Sequence, residues 1–339
     1  MKEILETLCR LPGVSGHEDA VRNYIREQVT PYADEIVEDA MGNLLVHVRG
    51  EKPEEPGKKV LLAAHMDEVG VIITSITEDG YLKFDFVGGV DRRVVLGKQV
   101  ILGEKAIHGI IGLKAIHLTE GEERNKVPPL KSLYIDIGVS SKEEAEKLVS
   151  LGDVGTFPTW SLAFGNGYLM AKAIDDRVGC TILLELIRRG LPRDAWFAFT
   201  VQEEVGCRGS QTAAWRVRSD YALILEGTTA ADLPSQSGGE KVCCPGKGPV
   251  IPFMDGGSIY DPGLYRKLTA LAEKRGIPWQ TKTKISGGTD ASAIQRGGAG
   301  ARVAAISAAV RNIHSPSCVI CLEDMQSMYD LAHAFLEEM

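Results

Sequence analysis

Residues 59–76 read KVLLAAHMDEVGVIITSI, and the change of texture inside that stretch decides the architecture. Lys59–Ala64 is a short unbroken apolar run, the pattern of a strand covered on both faces. It closes on His65-Met66-Asp67. From Val69 the runs become short and β-branched between turn signals: VGVIITSI before Glu78-Asp79-Gly80, YLKFDFV before Gly88-Gly89, then KQVILG and IHGIIGLKAIHL. This β-rich texture lasts to about Gly165. One helix is expected near Lys142–Leu151, with a Ser141-x-x-Glu144 start, and the polar, proline-containing segment 121–130 reads as a mobile loop.

On either side the periodicity is different. Ile4, Leu5 and Leu8 share a helical face before Pro12-Gly13. Ser15-x-x-Glu18 reads as a capping box, opening a helix that buries Val21, Tyr24, Ile25 and Val29. Asn43–Arg49 is strand-like. After residue 165, Asp176–Arg189 is a helix ended by Gly190, and Ala195–Val201, Tyr221–Leu225 and Ala301–Ile306 are apolar strands. Asp261-Pro262 starts a helix that runs to Gly276, and Asp324–Glu338 is a closing amphipathic helix. Strands alternating with helices predict an α/β fold with a mostly parallel, helix-covered sheet. The expected division is a catalytic unit of 1–68 and 165–339, with 69–164 as a β-rich insertion.

Composition narrows the function classes. In 339 residues there are 38 Lys and Arg against 46 Asp and Glu, a formal charge of −8. An acidic chain is poorly suited to nonspecific binding of nucleic acid or anionic membrane. No run approaches the roughly 18 apolar residues of a membrane span. The N-terminus, MKEILETLCRLPGVSGHED, lacks the apolar core of a signal peptide. The seven cysteines, an odd and scattered set, fit reduced thiols and a cytoplasmic location.

Five clusters of acid or histidine fall where strands should end: His65-x-Asp67, Asp175-Asp176, Glu203-Glu204, Glu226 and His314. Open α/β sheets bind ligands beyond the carboxyl ends of their strands, so these distant residues can converge. Each alone has an ordinary explanation, from a helix cap at Asp176 to a solvated loop at Glu203-Glu204, and their shared position is what carries weight. Residues i and i+2 of extended chain face the same way, so Asp67 can accept a ring N–H of His65 and fix its tautomer. Asp175 has two oxygens and can serve two cations. A donor set of two histidines and three or four carboxylates without cysteine suits zinc, cobalt or manganese, and a pair of ions better than one. Cys318-x-x-Cys321 lacks a partner pair and is not read as a zinc site.

The motifs AAHMDEVG, KAIDDRVGC, VQEEVGCRGS, LEGTTAAD, SGGTDASAI and NIHSP, in that order, resemble the glutamyl/leucyl aminopeptidase family of dinuclear metallopeptidases, family 42, which includes the TET and deblocking aminopeptidases. The resemblance spans essentially the whole chain. It implies that His65 and Glu226 bind one metal, Glu204 and His314 the other, and that Asp175, joined to Asp176 by a cis peptide, bridges them. It further implies that Asp67 orients His65, that Glu203 is the general base, and that Gly288, Thr289 and Asp290 line the pocket for the terminal residue. Many members carry Asp where this chain has Glu226, whose extra methylene bears on ion spacing. The family implies two divalent ions, zinc or cobalt, and short peptide substrates cut at the N-terminus by an activated water. It also implies a homo-oligomer built from dimers, up to a dodecamer, through the β-rich insertion. The competing readings are a glucanase using paired carboxylates, disfavoured by the histidines and by 6% aromatic content, and a non-catalytic peptide-binding scaffold.

Overall fold

The computed structural model describes residues 1–158 and 160–339. The chain opens with α1 (Lys2–Arg10) and α2 (Asp19–Val29), which bury the expected apolar faces. A hairpin of β1 (Glu35–Glu38) and β2 (Leu44–Val48) leads to β3 (Val60–His65), buried along its whole length. The β-rich segment follows: β4 (Gly70–Ile76), β5 (Leu82–Val87), α3 (Arg92–Val95), β6 (Gln99–Leu102), β7 (Ile107–Gly112), β8 (Tyr134–Asp136), α4 (Lys142–Glu146) and β9 (Val154–Thr156). Its strands close into a barrel in the order β4-β5-β8-β7-β6-β9. The barrel has a core of its own, with Val71, Ile73, Leu82, Phe84, Val100, Leu102 and Ile135 buried inside.

The remaining elements are β10 (Leu162–Phe164), β11 (Tyr168–Ala171), α5 (Ile174–Arg189), β12 (Ala195–Thr200), α6 (Arg208–Val217), β13 (Tyr221–Thr229), α7 (Pro262–Arg275), α8 (Ala291–Arg296), β14 (Arg302–Val310), β15 (Cys318–Cys321) and α9 (Leu322–Glu338). The main sheet runs β1-β2-β12-β3-β13-β14. Strands β12, β3, β13 and β14 are mutually parallel, and at one edge β2 pairs antiparallel with β12 and β1 antiparallel with β2. Alternation along β3 explains why it reads as a continuous apolar run. Val60, Leu62 and Ala64 pack with α1, α2, α5, α7 and α9, whereas Leu61 and Ala63 pack with α6 and α8 on the opposite face.

Several local readings change. The capping box at Ser15-x-x-Glu18 does not form. The Ser15 hydroxyl donates to Asp67 Oδ2 at 2.6 Å, and the Glu18 carboxylate accepts the amides of Gly16 and Gln202. Segment 121–130 carries a 3-10 turn at Gly121–Asn125, with a second at Leu130–Ser132, and the helix expected to reach Leu151 stops at Glu146. Strand β13 continues past Leu225 to Thr229, so Glu226 lies within a strand rather than at its end.

A buried charge cluster ties the N-terminal segment under the sheet. Glu68 Oε1 accepts from Lys172 Nζ at 2.6 Å and from the Gly13 amide at 3.1 Å, and Lys172 Nζ and Arg177 Nη1 also donate to the Leu11 carbonyl. All three side chains are almost fully buried. Removing the single anion leaves two buried cations uncompensated. Glu68→Gln is therefore expected to cost about 3–5 kcal/mol of unfolding free energy in a denaturant titration.

Candidate active site

Parallel strands deliver the site. β3 ends on His65, the turn after β12 carries Glu203 and Glu204, β13 presents Glu226, and the loop after β14 carries His314. Asp175 sits where α5 is not yet helical, next to a cis peptide bond to Asp176. These six residues meet in one place. His65 Nε2 lies 3.2 Å from Glu226 Oε1, 3.5 Å from Asp175 Oδ1 and 3.9 Å from Glu203 Oε2. His314 Nε2 lies 3.2 Å from Glu204 Oε2 and 3.3 Å from Asp175 Oδ2. Each oxygen of Asp175 thus faces a different imidazole. Gly227 makes that approach possible. Its amide donates to Asp175 Oδ1 at 3.2 Å, and a Cβ there would sit 2.8 Å from the same oxygen.

Both histidines have their outer nitrogen held by a backbone carbonyl. His65 Nδ1 is 3.1 Å from the Asp67 carbonyl oxygen, and His314 Nδ1 is 2.9 Å from that of Gly89, in the loop that leaves β5 of the barrel. A carbonyl only accepts, so Nδ1 carries a proton in each ring, and Nε2 faces the cage, where it offers a lone pair once the ring is neutral. The His65 Nε2 atom and Glu204 Oε1 are buried with no hydrogen-bond partner among the described residues. Orphaned donor atoms of this kind, converging within 4.8 Å of one another in the set His65, Asp175 and Glu204, fit a divalent cation.

Asp67 does more than the sequence suggested. Its Oδ1 is 3.3 Å from His65 Nδ1, and its carboxylate also accepts the amides of Glu203 at 3.0 Å and Glu204 at 3.1 Å. One side chain therefore fixes the His65 ring and the turn bearing both glutamates. Asp176 is equally committed, accepting from the amides of Gly179 and His65. The bond from the Gly179 amide, three residues on, is that of a helix cap, and a carboxylate oxygen of Asp176 also lies within 4.8 Å of ligand atoms of His65 and Glu226.

The electrostatics follow from burial and crowding. Burial, with Glu226 and Asp290 adding to it, pushes the Glu203 carboxyl well above its usual pKa. Burial raises Glu226 in the same way and lifts Glu204 to about 8. Burial opposes protonation of the histidines, but the facing carboxylates outweigh it: His65 is raised well above its usual value and His314 to about 9. Without cations, protons on the imidazoles balance the carboxylates.

The cage opens into a cavity of about 350 Å³. Gly288 and Thr289 line it, but Asp290 does not. Asp290 lies behind Glu203, with its Oδ2 accepting from the Thr200 hydroxyl at 2.5 Å. Three other lining residues escaped the sequence reading: Cys207, whose thiol donates to Glu203 Oε1 at 3.3 Å, Asp255 and Lys282. All sit in irregular loops without periodicity. Only the i, i+4 spacing of Glu203 and Cys207 could have been noticed.

Comparison with known proteins adds an independent line. The family model described as M42 glutamyl aminopeptidase matches residues 42–331. The chain is 31% identical to the lysyl aminopeptidase of Pyrococcus furiosus, over 99% of this chain and 97% of that protein. Among solved structures it superposes on the TET aminopeptidase of Thaumarchaeota archaeon SCGC AB-539-E09 with a TM-score of 0.95, at 36% identity over 100% of this chain and 96% of that one. It is also similar to the TET1 peptidase of Pyrococcus horikoshii, which can assemble into a tetrahedron or a large octahedral shell. The TM-score there is 0.87, at 35% identity over 100% of this chain and 99% of that one.

Proposed function

The chain belongs to the M42 glutamyl aminopeptidase family and is an aminopeptidase, and from that premise we propose that it removes the N-terminal residue of short peptides at a cage for two divalent ions. The observation that carries this reading is the split of the Asp175 carboxylate between two imidazoles whose lone pairs face inward. His65 and Glu226 would hold one ion, His314 and Glu204 the other, and Asp175 both. Bound there, the ions, zinc or cobalt by family resemblance, would supply Lewis acidity to the scissile carbonyl and to the attacking water.

The chain's own residues do the rest. Glu203 reaches the mouth of the cage, with Oε2 3.9 Å from His65 Nε2. Burial makes its carboxylate a better base than one in water. It takes a proton from the attacking water and returns it to the leaving nitrogen. Asp67 keeps that turn in register. The surplus of carboxylate anchors the substrate's free α-ammonium, which makes the enzyme an exopeptidase. The test is hydrolysis of aminoacyl anilides by enzyme reconstituted with zinc or cobalt. Free-amine substrates are expected to turn over and their N-acetylated forms are not. Cleavage of both at similar rates, or of neither, overturns the reading.

The catalytic unit would comprise 1–68 and 165–339, and 69–164, with the barrel, would mediate oligomerisation. Support comes from a run of exposed apolar side chains on and beside the barrel: Ile110, Leu113, Ile116, Leu118 and Val127. Native mass is expected to give a dimer or a larger assembly of dimers, up to twelve subunits. Among the described residues no helix is long and apolar enough to cross a membrane, and all seven cysteines are unpaired, which supports a place in the cytoplasm.

The cage predicts how metal and pH act together on stability. In metal-free protein, Glu204 titrates near 8 against an ordinary 4.5, and His314 near 9 against 6.5. Both folded-state values are raised, so between those limits the folded state binds more protons than the unfolded one. Stability therefore falls as pH rises. Ions replace those protons. The gain in melting temperature on adding metal is expected to be larger at pH 9 than at pH 6, as read by calorimetry with and without a chelator.

A further inference from the structure

The cavity that opens from the cage has one feature the aminopeptidase reaction does not use. Lys282 lines it and is only 8% exposed. Its ammonium donates to the Ser286 carbonyl at 2.6 Å and forms no ion pair among the described residues. Two of its three N–H groups have no acceptor among the described residues. It is the only ammonium or guanidinium among the described residues that line this space. Burying a cation without a counterion costs several kcal/mol, so the position calls for a partner.

The nearest-seeming alternative is Asp255, buried in the same wall. Its carboxylate is already saturated. Oδ1 accepts the amides of Gly257 at 2.7 Å and Ser258 at 2.6 Å, and Oδ2 accepts the hydroxyls of Tyr260 at 2.6 Å and Thr289 at 3.5 Å. Asp255 thus braces the wall and is not free to receive a cationic side chain. The cavity wall beyond the cage therefore offers one unsatisfied charge, and it is positive.

We infer that this cavity seats the substrate's N-terminal side chain and that Lys282 makes it a seat for a carboxylate, so that N-terminal glutamate and aspartate are the preferred residues. The inference rests on the reading of the cage as the peptidase centre, because only that places the scissile bond at the cavity's inner end. A substrate carboxylate completes the ion pair in a desolvated place, where such pairs discriminate strongly. A neutral glutamine of the same shape makes a weaker hydrogen bond. A lysine brings like charge toward Lys282 and is rejected. Burial pulls the Lys282 ammonium below its ordinary pKa, opposed by Cys243, Asp255 and the cage acids Glu226 and Asp175. An incoming carboxylate works in the same direction as those acids.

The experiment compares Glu-, Gln-, Leu- and Lys-anilides on metal-loaded enzyme, with the Glu-to-Gln ratio of kcat/KM as the readout. That ratio is taken within one preparation, so it is blind to how much of a variant is folded. The wild type is expected to favour Glu over Gln at least about tenfold. Lys282→Met is expected to bring the ratio to about one or below, Lys282→Arg to keep it above one, and Lys282→Glu to turn the preference toward Lys. A wild-type ratio of one or less, or a ratio unchanged in Lys282→Met, overturns the inference while leaving the aminopeptidase reading intact. If the wild type cleaves none of the four substrates, the peptidase assignment of the cage fails, and the inference falls with it.

Discussion

Glu203→Gln is expected to lower kcat about a thousandfold while leaving the metal content of the protein unchanged. Glutamine keeps the length and shape of the side chain. Its Oε1 can still accept the Cys207 thiol, which now donates to Glu203 Oε1 at 3.3 Å. The turn also stays in place, because Asp67 holds it through the backbone amides of residues 203 and 204 rather than through the Glu203 carboxylate. What is lost is the ability to take a proton. General-base assistance is worth roughly 10²–10⁴ in rate, and a thousandfold loss corresponds to about 4 kcal/mol of transition-state stabilisation. The loss should appear in kcat, because the side chain stands apart from the proposed ligands, the nearest imidazole nitrogen being 3.9 Å away. Elemental analysis of the same preparation separates the two roles. Retained ions with retained turnover would falsify the assignment of Glu203 as base, and loss of ions would reassign it as a ligand.

The clusters that form the cage are legible in the sequence, their roles follow from the family resemblance, and the reasons are specific. His65 stands out because VLLAAH has no polar position until its last residue, the pattern of a strand buried on both faces. Glu203 and Glu204 stood out because adjacent carboxylates directly after AWFAFTVQ are costly unless something compensates them. The barrel showed in the change of texture at Val69, although closure of its six strands depends on pairings such as β4 with β9, some 80 residues apart, that no local pattern carries. The polar edge strand Glu35–Glu38 was missed because its burial is partial and its sequence unremarked. Ser15 misled for a physical reason. The same hydroxyl that could have capped a helix instead bonds the carboxylate of Asp67, 52 residues away, and local chemistry is identical in both cases. Asp290 has a related history. Placed by resemblance at the pocket wall, it lies one layer behind, bonded to Thr200. Lys282 was invisible because TKTKI has the composition of any solvated loop, and only the fold reveals that its ammonium is enclosed.

The largest effect on the cage itself is expected from Asp175→Asn. The carboxylate presents Oδ1 to His65 Nε2 at 3.5 Å and Oδ2 to His314 Nε2 at 3.3 Å, so it is the one group common to both halves. Asparagine keeps the volume and one oxygen. Its amide nitrogen is a donor, and on whichever side it lies it turns N–H groups toward an imidazole lone pair and toward the place of a cation. A group that can serve two ions becomes one that serves at most one. Elemental analysis is expected to give no more than one ion per subunit, with anilide hydrolysis below about 1% of wild type, since the activated water depends on the pair. Stability should move with it. A ligand held at a thousand times its dissociation constant contributes about 4 kcal/mol, so a lost ion should remove much of the metal-induced rise in melting temperature. In a chelator two effects oppose each other. Neutralising Asp175 removes a charge that raises Glu204 and Glu226, but it also removes the partner of the His65 and His314 imidazoles, which hold the Asp175 carboxyl well below the usual carboxylate range. The variant should thus lose stability relative to wild type when metal is present and lose less in a chelator. Two ions per subunit in Asp175→Asn, at wild-type affinity, would mean that the shared ligand is another residue and that the pairing of His65 with Glu226 and of His314 with Glu204 must be drawn again.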